Sequence, residues 1–249
     1  MKKILLATAV ALLPLSSMAA TVLGFQAGAG SWKHDPSGNF AASVADVNNS
    51  ADLKNDLNLA ERSEGYSYFA IEHPVPLIPN LKYVNTKLSS AGAGTVASDF
   101  TFNGTSYTAS TSVTTSLDLT QSDIILYYEI LDNDAISFDL GLTAKQIDGR
   151  ASVDDGGTPE TATFSGTIPM LYAAAEIGLP AGFALVGEIS TLSIDDNEIT
   201  DLTAKVTYTT DFNLGVEVGT RSQSYKLDVD SVKASMDFSG VFAGVFFKF

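Results

Sequence analysis

From Ile136 to Ile147 the chain alternates between two kinds of residue: Ile136, Phe138, Leu140 and Leu142 fall on one parity, and Ser137, Asp139, Thr143 and Lys145 on the other. A period of two is the mark of a β-strand with one apolar and one polar face. The pattern recurs. Over 199–209, Leu202, Ala204, Val206 and Tyr208 oppose Asp201, Thr203, Lys205 and Thr207; over 213–226, Leu214, Val216 and Val218 oppose Glu217 and Arg221. In the last segment Val241, Ala243, Val245, Phe247 and Phe249 form one row, and Gly240, Gly244 and Lys248 the other. Alternation and turn residues together predict strands over about ten segments: 22–32, 65–73, 81–90, 114–130, 136–147, 162–178, 183–193, 199–209, 213–226 and 232–249. Parity is poorest in 114–130 and 162–178, where a bulge is expected.

The connections fall into two sets. Pro74–Asn80, Leu131–Asp134, Leu179–Gly182 and Thr209–Phe212 are compact and carry the proline, glycine and Asn/Asp chemistry of tight turns. Those between them are mostly longer and polar: 33–64, 91–113 and 148–161, with shorter links near 194–198 and 227–231. Within 91–113, Asn103-Gly104 is a favoured two-residue turn, so 99–108 reads as an extra hairpin above the main sheet. Short turns alternating with longer loops, in an even number of strands, predict an all-β, antiparallel, up-and-down transmembrane β-barrel of ten strands, with eight as the alternative count. The apolar rows then face lipid. Tyr83, Tyr128, Tyr208, Phe183, Phe212 and Phe247 lie near the short-turn ends, where an aromatic girdle belongs. A soluble β-sandwich shows similar alternation and would instead stay in water.

The N-terminus sharpens this choice. Lys2 and Lys3 precede an apolar run from Ile4 to Leu15, and Ser17-Met18-Ala19 supplies a small-x-small cleavage pattern, so 1–19 reads as a signal peptide and 20–249 as one barrel domain. After its removal no run of about 18 apolar residues remains to form a spanning helix, which leaves strands to cross a membrane. There is no cysteine, so thiolate chemistry and a disulfide framework are excluded. A net charge of −15 with scattered Lys and Arg argues against a nucleic-acid partner.

The segments Gly28–Trp32, Glu72–Lys82 (with its Pro-Val-Pro-Leu-Ile-Pro turn) and Gly244–Phe249 carry a resemblance. Over essentially the whole mature chain the sequence resembles a family of proteobacterial outer-membrane β-barrel proteins of unassigned function, similar in layout to small OmpW-like barrels. The resemblance implies location in the outer membrane with both termini periplasmic. It also implies contact with outer-membrane lipid and lipopolysaccharide, and insertion by the barrel-assembly machinery through a terminal signal carried by Val245, Phe247 and Phe249. It brings no catalytic residue and no cofactor.

Candidate chemistry lies on the inward parity. Glu72, Glu129, Asp139, Glu176, Glu188, Asp201 and Glu217 are offset by Lys82, Lys145, Lys205, Arg221 and Lys248. In a narrow lumen such groups must pair or stay hydrated. Two readings follow: a narrow passive conduit or binder for small solutes of unknown identity, with selecting charges, or a structural or surface-interaction barrel plugged by salt bridges. A rim-located enzyme is a distant third. Only His34 and His73 exist, at opposite ends, and no nucleophile-elbow, zinc-protease or phosphate-loop motif occurs. His34 beside Asp35 reads as a solvated pair at the start of the first outer loop. Gly24, Gly28 and Gly30 lie in a strand with no helix after them, and relieve crowding in the wall rather than cradle phosphate. The acidic stretches Asp154-Asp155 and Asp195–Glu198 offer oxygen ligands without the spacing of a calcium loop, so no metal ligand is assigned. Asn48-Asn-Ser50 and Asn103-Gly-Thr105 read as loop and turn rather than glycosylation sites.

Overall fold

The computed structural model describes residues 23–41, 50–133, 135–229 and 232–249. Residues 1–19, expected to be a signal peptide, lie outside them. The chain forms β1 (Gly24–Ala41), β2 (Ala51–Asp52), β3 (Arg62–Glu72), β4 (Asn80–Thr86), β5 (Ser89–Thr95), β6 (Phe100–Phe102), β7 (Thr105–Tyr107), β8 (Ser112–Asp118), β9 (Gln121–Asp132), β10 (Ile136–Asp154), β11 (Glu160–Gly178), β12 (Phe183–Ile194), β13 (Asn197–Thr209), β14 (Leu214–Val229) and β15 (Val232–Lys248). Every pairing is antiparallel. Ten strands close a ring in the order β1-β3-β4-β9-β10-β11-β12-β13-β14-β15, sealed where β15 returns to β1 with Gln26 opposite Lys248. β5 and β8 continue β4 and β9 upward after short breaks, and β8 joins β10 at Asp118–Thr114 opposite Arg150–Asp154.

The ten predicted segments are all strands, and several run further than alternation suggested. β1 continues through Lys33 to Ala41, β10 to Asp154, and β11 begins at Glu160, so much of the sequence assigned to outer loops is wall. The reason is a change of polarity at constant parity. On β15 the outward row is apolar from Val241 to Phe249 but polar above it, at Lys233, Ser235, Asp237 and Ser239, while Ala234, Met236 and Phe238 turn inward and are buried. β10 does the same: Leu140 and Leu142 face out below, whereas Ile147, Ala151 and Val153 are buried inside above Lys145. The lower belt is a membrane wall. Nine residues from Val241 to Phe249 at about 3.3 Å each, tilted by about 40°, reach about 23 Å, close to the ~25 Å apolar band of such barrels.

Above the belt the barrel is filled with apolar side chains, as a soluble protein is. The segment after β2 and the β6–β7 hairpin fold into the mouth, burying Leu53, Leu57, Leu59, Phe100, Phe102 and Tyr107 against Phe40, Met236 and Phe238. The hairpin turns on Asn103-Gly104, both at positive φ (50° and 83°), as expected of a two-residue turn. Its position differs from expectation: it packs inward, with Phe100 stacked on Tyr107 at 5.0 Å and Phe102 6.3 Å from Phe40. Asp56 ties the preceding loop together by accepting from the backbone N–H groups of Asp52 (2.9 Å) and Ser98 (2.8 Å). Gly92 is required beneath that loop, because a Cβ there would stand 1.6 Å from the Asn58 carbonyl oxygen.

One of the two expected irregularities is present and the other is not. A register shift occurs where β10 passes from Phe138 to Asp139, opposite Leu131 and Glu129, so Ile130 bulges from β9 within the predicted 114–130 segment. That segment is also interrupted at Leu119–Thr120. The expected bulge in 162–178 is absent from the β10–β11 pairing, whose register runs unbroken from Ile136 to Val153.

Candidate functional site: the charged waist and the chamber below it

The inward positions of the belt form two layers. At the short-turn end a chamber of about 830 Å³ opens, lined by Glu72, Glu129, Asp139 and Glu176 together with Asp132, and by Lys82 and Lys248. Tyr127 donates its hydroxyl to Glu72 at 2.9 Å, and Lys248 lies 3.8 Å from Glu176 with both side chains substantially exposed. The chamber is acidic.

Above it the charges converge. Lys205 on β13 reaches Glu217 (2.9 Å) on β14 and Glu188 (3.4 Å) on β12, and Lys82 on β4 crosses the lumen to Glu188. Glu217 also accepts hydroxyls from Tyr66 (2.6 Å) and Tyr68 (3.2 Å) of β3. The Tyr68 ring lies near both ammonium groups, 5.6 Å from Lys82 Nζ and 5.4 Å from Lys205 Nζ, within cation–π range.

A second tier sits next to the first. Arg221 forks onto Asp201 with Nε–Oδ1 2.9 Å and Nη2–Oδ2 2.7 Å, and gives its Nη1 to the Thr86 hydroxyl at 2.9 Å. This two-bond geometry is what a guanidinium offers a carboxylate. Lys145, with no exposed surface, donates to Gln121 (3.0 Å), Asp123 (3.0 Å) and Asp201 (3.1 Å). Gln223 donates to Asp201 at 2.8 Å and accepts from Gln121 at 2.6 Å. The Tyr225 hydroxyl lies within 3.1 Å of both glutamine oxygens. In the waist, Lys82, Lys145, Lys205 and Arg221 thus balance Asp123, Asp201, Glu188 and Glu217. Trp32 caps the tier, its ring 5.3 Å from the Arg221 guanidinium carbon.

Of the residues singled out from sequence, Lys82, Lys145, Glu188, Asp201, Lys205, Glu217 and Arg221 meet in the waist, whereas Glu72, Glu129, Asp139, Glu176 and Lys248 line the chamber. Val245, Phe247 and Phe249 form the outward row at the closing seam, and the Phe249 backbone exchanges two 2.8 Å hydrogen bonds with Phe25. Asp123, Gln121, Gln223 and the tyrosines went unrecognised. Asp123 shares its inward row with Ile125 and Tyr127, so alternation gave the wrong sign; the spacing Gln121-x-Asp123 was the available signal.

His34 requires correction. It is not in a solvated loop but inside β1, fully buried, 5.1 Å from the Trp32 ring and 6.0 Å from Phe238. Neither ring nitrogen has a hydrogen-bond partner among the described residues. Asp35 points outward and pairs with Lys54 at 2.6 Å. Beyond the belt, Glu64 is the buried charge of the outer wall. It accepts from Ser89 and lies 3.0 Å from Arg62 and 3.3 Å from Lys87. Burial acts to raise its pKa, but the Ser89 and Lys87 hydrogen bonds and the two cations outweigh this and hold it below the ordinary value.

Solved structures similar to this chain are barrels. The outer membrane protease OmpT from Escherichia coli aligns over 91% of this chain and 97% of its own with a TM-score of 0.56 at 11% identity. The chain has the fold of an outer-membrane β-barrel. Neisserial surface protein A (TM-score 0.32, 14% identity, 91% of this chain and 97% of that one) and the Pseudomonas putida toluene transporter TodX (0.35, 10%, 92% and 90%) are also matched, more distantly in shape. No family description matches the sequence, and no curated protein sequence matches it.

Proposed function

We propose that this protein is a non-enzymatic integral barrel of the bacterial outer membrane with a closed lumen, acting as a structural or surface-interacting wall rather than as an open conduit. The observation that carries this reading is the burial of Lys145, whose ammonium joins β9, β10 and β13 across the bore with no surface exposed to solvent. An open pore keeps its lining charges hydrated; here the described charges of the waist are spent on one another. The apolar packing of Phe100, Phe102 and Leu53 in the mouth supports a second closure. The inward, apolar setting of His34 supports the non-enzymatic part.

On this reading both termini are periplasmic, the acidic chamber opens to the periplasm, and the extended wall projects from the cell among lipopolysaccharide. The outward aromatic row ending at Phe249 serves the barrel-assembly machinery, in keeping with the resemblance to proteobacterial, OmpW-like proteins. Solute binding in the chamber is the second reading, favoured by its volume of about 830 Å³.

The test is single-channel conductance of the refolded mature protein in a planar bilayer, after a heat-modifiable gel shift has confirmed folding. Silence is the expected result. Reproducible current steps that change when Lys205 or Arg221 is neutralised would replace the closed wall with a conduit.

A further inference from the structure

Within the waist lies a cavity of about 70 Å³, bordered by Trp32, Tyr66, Tyr68, Asp123, Lys205 and Arg221 among others. Two of these lining residues each carry a buried polar atom with no partner among the described residues: the indole N–H of Trp32, on a side chain 1% exposed, and Oδ1 of Asp123, on one 4% exposed. Buried donors and acceptors left unpaired are rare and costly, so each marks a place where something polar belongs. One is a donor and the other an acceptor. The cavity holds about five to seven waters' worth of space, taking 10–15 Å³ for each.

The surrounding charge defines the occupant further. The waist's four cations are balanced by its four carboxylates, so an ion of either sign would enter uncompensated. A molecule carrying both signs enters without that penalty. Its cationic N–H end would suit the unpartnered Asp123 oxygen, and its anionic end the Trp32 N–H. Access comes from the chamber, because Tyr68, Lys82, Tyr172, Glu188 and Lys205 border both spaces. On the other side Trp32 and Phe242 back onto the apolar filling of the mouth.

We infer that the waist cavity is a blind binding site for a zwitterion of about five non-hydrogen atoms, of the amino-acid type, entered from the short-turn end. The inference rests on the closed-lumen reading for its direction of entry. Trp32 is the sole tryptophan of the chain, so its fluorescence reports on the cavity wall directly.

The experiment titrates the folded, detergent-refolded mature protein with glycine, and separately with methylamine and glycolate, which each carry one of glycine's two charges. The expected result is a saturable change in Trp32 emission with glycine, at least about tenfold weaker with either half-molecule and in Asp123→Asn, as loss of a charge-assisted bond implies. Calorimetry on Trp32→Phe, which keeps a six-membered ring but removes the donor together with the rest of the indole, should show similar weakening. No saturable change in a folded barrel would overturn the inference and leave water as the occupant; so would equal binding of methylamine, or undiminished binding by a folded Asp123→Asn. Conductance in the wild type would refute the closed lumen alone, since the glycine titration is read independently of current.

Discussion

Lys145 and Asp201 meet 3.1 Å apart from strands β10 and β13, which are separated in the wall by β11 and β12. The pair is therefore a strut across the bore rather than a rung between neighbours. Lys145→Met removes a buried charge and leaves Asp123 without its described cation, while Asp201 keeps Arg221. Thermal or denaturant unfolding should show a loss of about 3–5 kcal/mol. Lys248→Met, whose 3.8 Å pair with Glu176 is well exposed, should cost less than about 1 kcal/mol.

The packing of the mouth can be tested apart from the waist. Phe102→Ala deletes a fully buried ring and should destabilise by about 3–5 kcal/mol. Gly92→Val places side-chain atoms where the Asn58 carbonyl lies and should expel the 50–60 loop. The expected outcome is rapid proteolysis within that loop while the gel shift of the barrel persists. Neither change should open a current, because the charged waist is untouched.

Glu64 gives the outer wall a defined acid sensitivity. Its folded pKa lies below the ordinary 4.5, so the stability it contributes is fully present above about pH 4.5 and is lost as pH falls through the lower, folded value. Melting temperatures of wild type and Glu64→Gln should differ at pH 7 and converge as the pH falls through the lowered folded value. A gap that stays constant with pH would assign the role to packing alone.

Phe249 separates folding from delivery. Its backbone closes the seam against Phe25, which Phe249→Ser preserves, while the exposed ring is lost. The variant should refold in detergent as the wild type does, yet accumulate in cells as an unassembled, heat-insensitive band. Equal assembled amounts in cells would remove the ring from the proposed insertion signal.

The ten strands and their lipid faces were legible because the belt obeys one rule: Leu202, Val216 and Val245 out, Asp201, Glu217 and Gly244 in. Above the belt the rule reverses without a change of phase. Lys33 and Asp35 then look like loop residues, although they are the wet face of a strand whose dry face carries Trp32 and His34. Pairing was less legible than facing. Nothing along the chain tells that Arg221 meets Asp201 rather than Glu217, since partners across a lumen are set by the tilt and closure of the ring. The β6–β7 hairpin was visible from Asn103-Gly104, but its descent into the mouth depends on Phe40 and Met236, far away in sequence.

The reversal of polarity along β10 and β15 also works as a waterline. Were the barrel to sink by two residues, Asp237 and Ser239 would approach hydrocarbon, where a charged side chain on the lipid face is destabilising, by up to about 2–4 kcal/mol for Lys or Arg at mid-bilayer and less for Asp. Were it to rise, Val245 and Phe247 would leave the lipid and lose the apolar contact that favours them there. Immersion depth is therefore written into these strands residue by residue, and the loop-end wall is held at a fixed height above the bilayer.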